Sequence, residues 1–291
     1  MIELPFFRSI LFVPGIRPEF ILKAEAATPD ALVLDLEDSV AQEAKAIARK
    51  HVAEALQSRV DRFTLIRVNH PDAGMLEDDL AVLAPHAMQA IMLPKVDNPS
   101  DVLAIDRLLT DFERVNALAL NSISVIVTVE SAVGLRNLYD SIKAAPRVRG
   151  AGLASAEEGD LIFDIGAQWT ADGVALAYAR GKFVCDARAA KVHWLLDGAF
   201  MNLTSADALD RESRLARTYG FNGKVAIHPK QVSVINKAFS PSPEELNRAR
   251  KLIEAFKVAE AKGLGAVQFE GMMVDYANVK NAEQLLAMEH G

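Results

Sequence analysis

Short apolar runs bounded by turn residues recur along the chain, each separated from the next by a segment with helical spacing. They are SILFVP (Ser9–Pro14), ALVLDLE (Ala31–Glu37), FTLIRVN (Phe63–Asn69), AIMLPK (Ala90–Lys95), SVIVTVE (Ser124–Glu130), VRGAGLA (Val148–Ala154), VHWLLDG (Val192–Gly198) and KVAIHP (Lys224–Pro229). Segments such as AQEAKAIARKHVAEALQ and SADALDRESRLARTYG lie between them and read as amphipathic helices. Strands apolar on both faces, alternating with helices, belong to a parallel sheet covered on both sides. Eight such repeats predict closure into an α/β fold, the (β/α)8 TIM barrel, with an open doubly wound sheet as the competitor. The barrel is expected over residues 1–240. SPSPEEL (Ser240–Leu246) then starts a helix running to Lys262, and GAVQFEGMMVD with a last helix completes a C-terminal helical extension, 241–291.

Composition narrows the partners. The 291 residues are 51% hydrophobic and carry a net charge of −7, an acidic balance that argues against nucleic acid. The apolar N-terminus carries Glu3 and Arg8 and has no small-residue cleavage pattern. No apolar run approaches the ~18 residues of a membrane span. A single cysteine, Cys185, excludes an internal disulfide and suits a reducing compartment. The expectation is a cytoplasmic protein without a membrane or nucleic-acid partner.

Barrel enzymes carry their chemistry at the C-terminal ends of the strands. The predicted strand ends here supply Pro14-Gly15, the Asp35, Glu37 and Asp38 cluster, Arg67 with Asn69, Lys95, Glu130, Asp160, Asp197 and His228. There is no HExxH or CxxC zinc pattern, no phosphate-binding glycine loop and no G-x-S-x-G elbow. Oxygen chemistry remains: carboxylates with an arginine and a lysine among them. Such a set suits Mg²⁺, or Mn²⁺ in its place, which takes one or two protein carboxylates and keeps positions open for substrate. Composition does not say which acids those are.

RSILFVPGIRPEFILKAEA, DALVLDLEDSV, IRVN, MLPKV, VTVESAVGL, GFNGKVAIHPKQVSVINKAFSPS and the late GMMVD resemble the CitE-like branch of the HpcH/HpaI aldolase and citrate lyase superfamily. The likeness runs from Arg8 to about Ala282. It implies a barrel that cleaves or forms carbon–carbon bonds in CoA-thioester hydroxyacids with a divalent metal, of the malyl-CoA or citramalyl-CoA lyase type. It places the metal acids on Glu130 and Asp160 and the arginine beside the thioester on Arg67. A late acid falls on Asp275, in an extension that packs on a neighbouring subunit of a homotrimer or hexamer. A citryl-thioester lyase subunit working on an acyl-carrier protein is the enzyme alternative; a non-catalytic barrel that binds CoA thioesters is the other. The sequence departs from the family pattern at AEEGD before Asp160 and at Tyr276, where proline is usual.

Several of these residues have plainer explanations. Asp35, Glu37 and Asp38 are expected to balance Arg67, Lys95 or bound water and not to ligate metal directly. Lys95 is read as a substrate contact or a structural counter-ion, and His228 as a packed loop residue. Glu157 and Glu158 line the substrate loop or a solvated turn. Arg17 and Lys23 either meet CoA phosphates or belong to a solvated first helix.

Overall fold

Each of the eight apolar runs coincides with a strand, the last of which begins one residue before its run, at Gly223. The strands are β1 (Ser9–Pro14), β2 (Ala31–Asp35), β3 (Thr64–Arg67), β4 (Ala90–Leu93), β5 (Ser124–Val129), β6 (Val148–Leu153), β7 (Trp194–Asp197) and β8 (Gly223–Ala226). They pair in parallel in chain order, and β8 returns to β1 to close the barrel. The computed structural model describes residues 5–57, 63–81 and 89–288. It forms two compact units, Phe7–Lys237, and Met1–Phe6 with Ala238–Gly291. No helix among the described residues is long and apolar enough to cross a membrane.

The helices of the first unit are α1 (Glu19–Ala26), α2 (Lys45–Gln57), α3 (Leu76–Ala81), α4 (Pro99–Val115), α5 (Ala132–Lys143), the short α6 (Asp160–Asp164), α7 (Ala177–Ala190) and α8 (Ala206–Tyr219); α9 (Pro229–Phe239) follows β8. They form where one face can be buried. On α2 that face is Lys45, Ala48, Val52, Ala55 and Leu56, and on α4 it includes Val102, Ile105 and Leu109. Reciprocal bonds between Asn98 and Asp101 start α4 as a capping box.

The N-terminal end of the barrel is plugged by aromatic rings. Phe7 stacks on Trp194 with centroids 4.8 Å apart, and Phe63 meets Phe7 edge-on at 4.7 Å. Gly150 makes room for this plug, since a Cβ there would lie 2.9 Å from the Trp194 Cβ. At the other end, pairing of Pro14 with Asp35 and of Asp35 with Arg67 sets three strand ends side by side.

Two predicted strand-end groups turn away from the rim. Asp197 is fully buried, accepting from Lys224 at 2.7 Å, Arg180 at 3.2 Å and the Ser155 hydroxyl at 2.7 Å. Asn69 is buried against Asp79 and Lys45. A buried charge or amide needs partners wherever it falls, and these two find theirs among the packed side chains of the barrel wall.

In the second unit, α10 (Pro243–Glu260) starts at a Ser242–Glu245 capping box. Two strands, β9 (Ala266–Phe269) and β10 (Met272–Asp275), then pair antiparallel before α11 (Tyr276–Ala287). The sequence reading expected a helical extension and assigned no strands to GAVQFEGMMVD. Glu270 and Gly271, both at positive φ, form the two-residue connection a tight hairpin requires. The unit has its own core of Ala249, Leu252, Phe256, Val274 and Ala282.

Candidate active site

The rim is assembled from the turns after β1 to β6. Gly15 comes first: its N–H donates to the Asp35 carbonyl at 2.8 Å, and a Cβ would sit 2.7 Å from that oxygen. Only glycine lets β1 and β2 approach so closely. Asp35 then accepts the Arg67 fork, Nε at 2.7 Å and Nη2 at 2.6 Å, while Nη1 lies 3.1 Å from Glu37. The guanidinium rests 5.0 Å from the Phe12 ring centroid. Burial works against the Asp35 charge, but Arg67 outweighs it and holds the carboxyl below its usual range.

Lys95 faces this arginine across the rim. Its ammonium lies 2.8 Å from Glu37, 3.0 Å from Asp38 and 3.9 Å from Asp160. Its backbone sits at φ +54° and its N–H donates to Glu130 at 3.2 Å. A left-handed conformation at a residue with a β-carbon costs about 1 kcal/mol or more, so surrounding contacts must hold it there. Burial pushes the Glu37 carboxyl up in spite of Arg67 and Lys95; the Glu37 hydrogen bond and Lys95 outweigh burial at Asp38 and hold it down.

Glu130 separates two cavities. The inner one, about 190 Å³, runs into the barrel beneath Arg67 and Glu130; the outer one is bounded by Lys95, Asp97, Glu130, Ser131, Asp160, Phe163 and Asp164. The four acids of the outer cavity are not equivalent. Asp97 is hydrogen-bonded by the Ser131 hydroxyl, and Asp164 by the Ala132 N–H at 2.7 Å. Glu130 has the single backbone bond from Lys95, and burial with the charge of Glu37 pushes it up to about 7 despite Arg67. Asp160, the first residue of α6, is 62% exposed and, among the described residues, has only the distant Lys95 for a counter-charge.

Among the described residues, no three His, Cys, Asp or Glu side chains converge to hold a metal ion alone. A divalent cation here would rest on two carboxylates and on oxygens from water or substrate, the habit of Mg²⁺. Glu130 and Asp160 are the outer-cavity acids left with least compensation, and they fit that demand.

Of the residues singled out from sequence, the fold therefore gathers Asp35, Glu37, Asp38, Arg67, Lys95, Glu130 and Asp160. Glu157 and Glu158 lie exposed in the turn before Asp160, Glu158 at φ +58°. Arg17 pairs with Glu19 at 2.5 Å, and both Arg17 and Lys23 cover the Phe20 ring, at 4.1 and 5.4 Å. His228 accepts the Lys230 N–H at 3.1 Å within its own turn. Asp275 is in the second unit, where its Oδ1 caps α11 by accepting from the Ala277 and Asn278 N–H groups.

Two contributors were not anticipated. Lys45 is buried and donates to the carbonyls of Leu36 and Glu37 at 2.7 and 2.8 Å and to Asn69 at 2.8 Å, pinning the turn that carries Glu37. Its helical spacing with Ala48 and Val52 marks it as a charge on an apolar face. Thr128 stands on the inner cavity with a buried hydroxyl that has no hydrogen-bond partner among the described residues; nothing in SVIVTVE distinguishes it.

Comparison with known proteins agrees with this architecture. Residues 8–229 match the family described as HpcH/HpaI aldolase/citrate lyase, and residues 179–287 match a carbon–carbon bond lyase family of the TIM-barrel fold. The citrate lyase subunit beta of Leuconostoc mesenteroides subsp. cremoris is 32% identical over 97% of this chain and 92% of its own. The L-malyl-CoA/beta-methylmalyl-CoA lyase of Cereibacter sphaeroides is 33% identical over 96% and 93%. The crystal structure of CitE from Mycobacterium tuberculosis in complex with magnesium, acetoacetate and coenzyme A superposes with a TM-score of 0.80, at 31% identity over 98% of this chain and 99% of that one. A family model covering most of the barrel and relatives alike almost end to end agree: the chain belongs to the HpcH/HpaI aldolase/citrate lyase family.

Proposed function

We propose that the protein is a Mg²⁺-dependent carbon–carbon lyase. It cleaves a 3-hydroxyacyl-CoA thioester of the malyl-CoA or citramalyl-CoA type into acetyl-CoA and a 2-ketoacid. The observation that carries this reading is the rim itself. Two under-compensated acids, Glu130 and Asp160, line the outer cavity, and Glu130 also lines the inner one together with Arg67, oriented by Asp35. Relatives at about one third identity act on CoA thioesters or are named for citrate cleavage, which supports the same reaction class.

The chemistry requires removing the hydroxyl proton, breaking the bond between the α- and β-carbons and holding the electron pair as a thioester enolate. The enolate then takes a proton at carbon. Glu130 and Asp160 would hold the divalent ion, which supplies Lewis-acid polarisation of the hydroxyl and adjacent carboxylate. Arg67 offers a fixed positive charge where the enolate oxygen develops, and its bonds to Asp35 and Glu37 spare it reorganisation during the reaction. Lys95 keeps Glu37 and Asp38 paired so that they do not compete for the cation. Arg17 and Lys23, exposed beside Phe20, are assigned to the CoA phosphates, and Glu157 and Glu158 to the substrate loop. Asp275 is assigned to proton transfer in the site of a neighbouring copy, within a cytoplasmic homotrimer or hexamer whose C-terminal extension reaches that copy.

Product analysis tests the reading. With Mg²⁺, acetyl-CoA and ketoacid are expected in equal amounts, and Glu130→Gln and Asp160→Asn each abolish the activity while the protein stays folded by circular dichroism. Release of free CoA and intact hydroxyacid would make the protein a thioester hydrolase instead. Cleavage confined to an acyl-carrier-protein thioester would make it a citrate-lyase subunit.

A further inference from the structure

The inner cavity contains more than the reaction needs. Its walls are Phe12, Met92, Thr128, Gly152, Leu196 and Val225, and the charged side chains on it, Arg67 and Glu130, stand at the mouth. Arg67 is fixed at the mouth, with Nε and Nη2 on Asp35 and Nη1 beside Glu37, and in the proposed reaction its charge serves the enolate oxygen there, not the depth of the cavity. At about 190 Å³ the cavity has room for more than a single water-sized group. The reacting carbons and their oxygens belong at the mouth with Glu130. The remainder is apolar space for a substituent.

We infer that the substrate carries, on the carbon that becomes the ketoacid carbonyl, an uncharged alkyl group that enters this cavity, and that Thr128 and Gly152 set its length. The inference rests on the lyase reading and narrows it. A second carboxylate at that position, as a citryl group would bring, meets an apolar wall with no cation to spare, and the lone Thr128 hydroxyl cannot replace its hydration. Hydrogen at that position leaves the space unfilled. Gly152 faces Thr128 and Leu196: a Cβ built on it lies 3.8 Å from the Thr128 Cγ2 and 3.9 Å from the Leu196 Cβ. A methyl there is accommodated without displacing a neighbour, at the expense of the cavity.

The test uses the full-length protein with Mg²⁺ and thioesters bearing hydrogen, methyl, ethyl or carboxymethyl at that carbon. The kcat/KM for methyl or ethyl is expected to exceed that for hydrogen by about 10-fold or more, within the range of a methylene in a fitted pocket. Carboxymethyl should be the poorest, roughly 100-fold below methyl. Gly152→Ala should lower the ethyl-to-hydrogen ratio about 10-fold, and adding Thr128→Ser, which removes the facing methyl, should restore it. A general loss of structure would depress all substrates and could not be rescued by the second change. Calorimetric binding of glyoxylate, pyruvate, 2-oxobutyrate and oxaloacetate in the presence of Mg²⁺ gives a readout that needs no turnover. Preference for pyruvate or 2-oxobutyrate supports the cavity assignment even if no thioester is cleaved, and that result would overturn only the lyase reading. Equal or better binding of oxaloacetate, or efficient cleavage of the carboxymethyl substrate, overturns the assignment and leaves the lyase reading standing. Binding of none of the four overturns both.

Discussion

Arg67 shows how much of the site depends on the shape of one side chain. Its fork satisfies both oxygens of a buried carboxylate and still reaches a second acid, which a lysine ammonium cannot reproduce from one point. Arg67→Lys keeps the charge and loses the geometry. The expected result is a kcat reduced by about 10²–10³-fold with a smaller rise in KM, because donation is lost where enolate charge develops. Steady-state kinetics decide this; an effect on KM alone would make Arg67 a ground-state binder. Lys95 has the complementary task. Its left-handed backbone points one N–H at Glu130 and its ammonium at Glu37 and Asp38, so one residue sets the charge balance of both cavities.

At the scale of elements, the turn after β2 is held by a helix that does not touch the cavities. Lys45, in the first turn of α2, ties down the Leu36 and Glu37 carbonyls from behind. Replacing it with Met leaves the buried Asn69 Oδ1 without its donor, while the Leu36 and Glu37 carbonyls keep only the Asn69 Nδ2 and the Val40 N–H respectively. The change should lower unfolding free energy by about 1–3 kcal/mol. Urea titration measures this, and unchanged stability would show that water fills the place. The same element marks how far the sequence could be read. The eight strands were legible because a strand covered on both faces leaves an uninterrupted apolar run such as SVIVTV. The rim acids were legible because DLEDSV and VTVES put charge where an apolar run stops. Lys45 and Thr128 were not, because their roles depend on which groups the closed barrel brings near them, not on their neighbours in sequence. The β9–β10 hairpin was missed for another reason: its strands are largely exposed, and their alternation is blurred by Met272 and Met273 facing outward.

The molecule as a whole carries paired buried carboxylates whose effect on stability has a definite sign. Burial opposes ionisation of Asp35, Glu113 and Asp197, but Arg67, Arg147, and Lys224 with Arg180 outweigh it, holding each below its ordinary value. A depressed carboxyl stabilises the fold above its unfolded pKa and loses that contribution as pH falls through the folded value. Stability should therefore fall steeply below about pH 4. Glu113→Gln should flatten that acid limb while lowering stability at neutral pH, and denaturant titrations across pH read both; an unchanged acid limb in the variant would contradict the assignment. The proposed role of Asp275 is tested at the level of assembly. Asp275→Asn and Glu130→Gln chains, each inactive, should regain activity when mixed and exchanged, since one site can then draw its acid and its metal ligands from different copies. Hybrids shown by size exclusion to have formed, yet still inactive, would remove Asp275 from the neighbour's chemistry. A last consequence comes from the rings of Phe7, Phe63 and Trp194 that seal the barrel's far end. A chamber closed at the bottom is a blind alley, so whatever enters first leaves last. On the proposed function, a ketoacid seated below the rim would be trapped until the thioester product departs, so a compulsory sequence of release is expected. In the condensing direction the ketoacid would then load before acetyl-CoA, and acetyl-CoA should act as a dead-end inhibitor when it binds first; random-order kinetics would contradict this.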